Sequence, residues 1–115
     1  MGDRGNIVIL QSGMRGRDSG DRIYLYTHWR GSGLPDILAA ALARSGNRWN
    51  DAPYLARVIF REMIRGDEEG VAGFGISTYE QDNENAILEV DCDKQEVNGV
   101  AFDKFIKAHE EGGNW

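Results

Sequence analysis

A histidine, an indole and a guanidinium stand side by side at His28, Trp29 and Arg30, directly before Gly31-Ser32-Gly33. These types suit an anion. A guanidinium grips phosphate or carboxylate bidentately and stacks on flat rings, and a glycine-rich turn opening a helix offers unpaired N–H groups at the positive end of the helix dipole. Gly31 and Gly33 would let the backbone approach a phosphate closely, although the run is neither a Walker-type loop nor a dinucleotide fingerprint. The same run also serves as a strand-to-helix turn that needs glycine only for its backbone angles.

All ten arginines lie within the first 65 residues, six of them between positions 30 and 65. Tyr54, Arg57, Arg61 and Arg65 recur at three- and four-residue steps, so on a helix they share one flank, away from the stripe Leu55, Val58, Ile59 and Met63. The candidate ligand site is therefore His28, Trp29, Arg30, Gly31, Ser32 and Gly33 together with Tyr54, Arg57 and Arg61. Arg44, Arg48 and Trp49 belong instead to a capped connection between two helices, where Trp49 reads as a staple packed beside the helix start.

Other chemistry finds less support. His28 as an acid–base group needs a partner residue, and no pairing with His109, Asp36 or Asp51 follows from spacing. Two histidines 81 positions apart and one cysteine give no metal-ligand pattern, and Asp91-Cys92-Asp93 lacks the regular oxygens of a calcium loop. Cys92 reads as a passive thiol. No catalytic residue, metal or cofactor is assigned.

The elements that must position these residues follow from periodicity. A strand at Asn6–Gln11 and another at Arg22–Trp29 form a hairpin around a glycine-rich loop at 12–21, expected to be flexible, whose Arg15 and Arg17 could fold over a ligand. A helix follows Gly33, with Pro35 in its first turn, the stripe Leu34, Ile37, Leu38, Ala41 and Leu42, and Gly46 at its stop. A second helix is capped by Asn50 or Asp51 and runs to about Ile64. Beyond an acidic turn at Gly66–Gly70 come strands at Gly75–Tyr79, Ala86–Asp91 and Gln95–Val97, the last two as a hairpin. A turn at Asn98-Gly99 precedes a helix at Ala101–Glu110 that packs Phe102, Phe105, Ile106 and His109 on the sheet, and residues 111–115 should fray. The expected order is ββααβββα, a single α+β domain over residues 1–115 with a mainly antiparallel sheet packed by helices.

Composition bounds the function. With 115 residues, 41% of them hydrophobic, the chain is the size of one domain. A net charge of −6 argues against binding long nucleic acid. No apolar stretch approaches the ~20 residues that cross a bilayer, the start matches neither a secretion signal nor a myristoylation site, and one cysteine fits a reducing cytoplasm. Charge is uneven: three basic and thirteen acidic residues occupy positions 66–115. That segment reads as a solvated acidic skin or as a surface facing something basic.

The segments Gly-Asn-Ile-Val, Tyr-Leu-Tyr-Thr-His-Trp-Arg-Gly, Leu-Pro, Arg-Trp-Asn-Asp-x-x-Tyr-Leu-Ala-Arg and Gly-Phe-Gly-Ile-Ser-Thr-Tyr resemble, over roughly positions 4 to 97, a group of small uncharacterised proteins of bacteriophages, prophages and bacteria. That group has no assigned activity, so no functional residue carries over. The resemblance implies a context, countering host defence in the cytoplasm of a host bacterium by sequestering a nucleotide signal or covering a host protein. Three functions are expected in order: a module binding a small phosphorylated ligand through the Arg, aromatic and His residues; an acidic inhibitor that mimics nucleic acid toward a host defence protein; and a small phosphodiesterase using His28. A homo-oligomer joined through Tyr24, Tyr26 and Trp115 is compatible with all three.

Overall fold

The computed structural model describes residues 3–11, 21–65, 67 and 73–110. The expectations for the 12–20 loop, for the tail at 111–115 and, apart from Asp67, for the turn at 66–70 fall outside them. The strands are β1 (Gly5–Gln11), β2 (Asp21–Thr27), β3 (Phe74–Ser77), β4 (Leu88–Asp91), β5 (Glu96–Val97) and β6 (Val100–Ala101). The helices are α1 (Leu34–Arg44), α2 (Ala52–Ile64) and α3 (Phe102–Glu110), with 3-10 turns at Gly31–Gly33 and Gly46–Arg48. The α+β class and the expected order hold, with the two-residue β6 added before α3.

One six-stranded sheet runs in the order β3-β2-β1-β4-β5-β6. Only the β1–β4 pair is parallel. Register builds the core. Ile7 lies between Leu25 and Leu88, and Ile9 between Ile23 and Val90, so one face of the central strands is a continuous apolar row. Helix residues Leu38, Leu42, Leu55, Ile59, Met63 and Phe102 bury against that row. The continuous run Ile7-Val8-Ile9 suits a strand buried on both faces, and Val8 is indeed buried with its neighbours.

Boundaries shift where a side chain intervenes. Ser45, not Gly46, caps α1, its hydroxyl donating to the Ala41 carbonyl at 2.8 Å. Asp51 caps α2 by accepting the Tyr54 N–H at 3.3 Å, as its type favours. Strand β3 begins one residue earlier than expected and ends two earlier, the end falling where the Ser77 hydroxyl accepts the Tyr79 N–H at 3.1 Å and turns the chain. Asn98 and Gly99 have φ of 50° and 86°, the geometry of a two-residue hairpin turn. They therefore fold β6 back on β5 before α3 starts.

Strand β1 fixes where both central helices begin. At its first end the Asp3 carbonyl accepts the Gly31 N–H just ahead of α1. At its last end the Gln11 side chain accepts the Ala52 N–H at 3.0 Å and donates to the Asn50 carbonyl, which ties down the start of α2. A seven-residue strand at ~3.3 Å per residue separates these points by about 20 Å.

Candidate functional site

The His28–Gly33 end is organised by Thr27, whose buried hydroxyl accepts the N–H of Trp29 at 3.3 Å and of Arg30 at 3.2 Å, turning the chain out of β2. The His28 carbonyl accepts the Asp3 N–H, its own N–H donates to the Gly73 carbonyl, and its ring lies edge-on to Tyr26 at 5.5 Å. His28 is thus held by the backbone at the mouth of β3. Trp29 is 53% exposed and the Arg30 side chain is also exposed.

The anion seat of Gly31–Gly33 is filled from within the chain. Ser32 donates its N–H to both Asp3 carboxylate oxygens, at 3.1 and 3.0 Å, and its hydroxyl to one of them at 2.6 Å. Asn85 donates to the same carboxylate at 2.8 Å. The Gly31 N–H donates to the Asp3 carbonyl at 2.6 Å and the Gly33 N–H to the Arg30 carbonyl at 3.0 Å. A Cβ on Gly31 would stand 2.7 Å from the Arg4 carbonyl, so a backbone crossing requires glycine here. Hydrogen bonds from the Ser32 hydroxyl, then from Asn85 and the Ser32 N–H, hold the Asp3 carboxyl below its ordinary pKa. An external phosphate at the Ser32 N–H would have to compete with this carboxylate.

The arginines divide by partner. Arg44 and Arg65 both pair with Glu62, at 3.2 and 3.3 Å, Arg48 approaches Asp51 at 3.7 Å, and Arg4 approaches Asp82 at 3.9 Å. Two cations approach the Tyr54 ring, with the Arg48 guanidinium 4.8 Å and the Arg57 guanidinium 5.7 Å from its centre. Trp49 donates its indole N–H to the Leu42 carbonyl at 2.9 Å and packs edge-on against Phe102 at 5.2 Å, so it is a structural ring. Among the described residues no carboxylate pairs with Arg22, Arg30, Arg57 or Arg61, and of these four only Arg57 and Arg61 lie on α2.

Those two arginines rim a groove of about 510 Å³ between α2 and the β2–β3 edge, lined otherwise by Ile23, Leu25, Pro53, Ala56, Phe60, Ile64 and Ile76. Its size is typical of small-molecule sites. Ile76 stands 62% exposed on the edge strand. The apolar residues Pro53, Ala56, Phe60 and Ile64 recur at three- and four-residue steps, a second stripe on α2 beside the core stripe. That spacing was available in the sequence, but Ile76 was not, because only the β2–β3 register sets it opposite Leu25 and under α2. None of residues 28–33 lines the groove. Tyr54 sits in the first turn of α2, at the far end of β1 from the His28–Gly33 turn, and Arg57 and Arg61 follow one and two turns further along the helix.

A second, more open depression of about 630 Å³ lies beside the same edge, among Arg22, Tyr26, Ser77, Thr78, Tyr79 and Gln81. Among the described residues no three His, Cys, Asp or Glu side chains gather as a metal site, and no helix is long and apolar enough to cross a membrane. Comparison of the chain with protein-family models, with curated proteins and with solved structures finds no match.

Proposed function

We propose that this chain is a binding module for a ligand that presents an apolar body and an acidic group. The body lies in the groove between α2 and β3, and Arg57 and Arg61 hold its carboxylate, sulfonate or phosphate. One observation carries the reading: two guanidiniums without acidic partners among the described residues rim an apolar groove, while Arg4, Arg44, Arg48 and Arg65 all have a carboxylate nearby. Guanidinium–anion bonds are charge-assisted and bidentate, and apolar walls beside them take up the body of the ligand.

The ligand class narrows by the same logic. Phosphates suit the arginines, but the sugar and base edges of a nucleotide meet few polar partners among Ile23, Pro53, Phe60, Ile64 and Ile76. A nucleotide defence signal, the ligand suggested by the resemblance to phage proteins, is therefore the polar limit of this reading, and an aromatic or aliphatic acid fits better. His28 and Tyr54 act outside the groove, His28 as a strand-end anchor and Tyr54 as a platform that holds Arg57.

Anilinonaphthalenesulfonate, a flat apolar ring system with one sulfonate, tests the reading by its fluorescence. The native protein is expected to bind it at one site, and Arg57→Gln with Arg61→Gln to weaken binding by more than roughly tenfold, since each charge-assisted bond contributes ~1.5–3 kcal/mol. Unchanged binding in the double variant would remove the groove from consideration.

A further inference from the structure

We propose that the natural occupant of this groove is an extended acidic polypeptide segment that adds to β3 as a seventh strand, an inference that rests on the groove being a binding site. Strand β3 ends the sheet order, so among the described residues one of its sides is unpaired. The register says which groups that side presents. The His28 N–H donates to the Gly73 carbonyl, so the alternation of an antiparallel ladder makes Tyr26–Gly75 and Tyr24–Ser77 the bonded pairs. Phe74 and Ile76 then direct both N–H and C=O away from β2, toward any added strand.

The strand itself also carries no edge-blocking residue. Natural edge strands are commonly blunted by lysine, proline or an inward charge, whereas Phe74-Gly75-Ile76-Ser77 carries none of these. A strand added ~4.8 Å beyond β3 would set alternate side chains beside Ile76, over the apolar groove, and the others over the depression lined by Arg22, Tyr26 and Tyr79. Arg57 and Arg61 flank the first row and Arg22 the second, so acidic side chains are matched on both faces. A second copy of the chain is a poorer occupant. Two-fold pairing of β3 with itself would bring the Arg57 and Arg61 pairs of both copies onto the same side of the junction, where like charges repel.

The test is selection of a random-decapeptide library on the native protein, with anilinonaphthalenesulfonate titrated in parallel. The expected result is enrichment of sequences that alternate apolar residues and carry Asp or Glu, and that slow amide exchange at Phe74 and Ile76 when bound. Ile76→Pro removes an outward N–H without breaking the β2 ladder, and should lose the selected peptides by more than tenfold relative to Ile76→Ala. If the dye binds but no acidic alternating peptide emerges, or if the proline and alanine variants bind peptide equally, strand addition is wrong and the groove reading stands. If neither dye nor peptide binds, the groove reading falls and this inference with it. A dimer that forms through β3 without peptide would overturn it in favour of self-pairing.

Discussion

Asp3 is the residue that most changes the picture of the site, because its carboxylate occupies the backbone pocket that the glycine turn would offer an incoming anion. Its pKa is held below the ordinary 3.8 chiefly by the Ser32 hydroxyl, with help from Asn85. A depressed carboxyl pKa gives stability that is present above the unfolded value and lost as pH falls through the folded one. Asp3→Ala should therefore melt below the parent near neutrality, with the gap closing below about pH 4 in melting curves; a gap that persists unchanged in acid would contradict the assigned contacts. Nothing in the sequence marks Asp3 as this partner, since it is 29 positions from Ser32 and 82 from Asn85. Arg57 and Arg61 were legible from helical spacing, but which arginines already held a carboxylate required the fold. Cys92 is fully buried, and burial, followed by the carboxylates of Asp93, Asp91 and Asp51, pushes its thiol up to about 12. It should resist iodoacetamide in native protein in mildly alkaline buffer and react once guanidinium unfolds the chain; stoichiometric labelling of the native state would show the burial to be wrong.

At the scale of elements, α2 carries two adjacent apolar stripes, one for the core and one for the groove. Periodicity makes both visible, but only the neighbouring strand tells a covered stripe from an open one. The helix stripes and the β1–β2 hairpin emerged at close to their observed bounds because local spacing determines them. The shortened β3 and the added β6 did not, being set by a Ser77 hydroxyl bond and a two-residue turn. Asn6 shows how a strand can organise a loop far away in sequence. Fully buried, it donates to the Gln81 carbonyl at 2.9 Å and the Asn83 side chain at 2.7 Å, and accepts the Gln81 N–H at 3.1 Å. Asn6→Ala leaves these groups without a partner, which should cost roughly 1–3 kcal/mol in denaturant unfolding. It should also speed amide exchange across residues 80–85, and a stability unchanged within a few tenths of a kcal/mol would refute that role.

Across the whole molecule, the sheet order converts a charge asymmetry along the chain into one in space. Strand β3 and helix α2, with Arg57 and Arg61, lie toward one edge, and β4, β5, β6 and the start of α3, with Glu89, Asp91, Asp93, Glu96 and Asp103, lie toward the other. On the proposed reading, an anionic ligand meets Arg57 and Arg61 at the groove edge and carboxylates at the opposite one. Because the two arginines stand at an open rim, dye binding should weaken as salt rises through the range where the Debye length falls below ~10 Å; affinity independent of salt would point to apolar contact alone. The most direct measurement of the central claim is an amide and arginine side-chain NMR titration of the native protein with anilinonaphthalenesulfonate. The account predicts saturable shifts at Arg57, Phe60, Arg61, Ile64 and Ile76 with little change at His28–Gly33, and shifts centred on residues 28–33, or none in the groove, would contradict it.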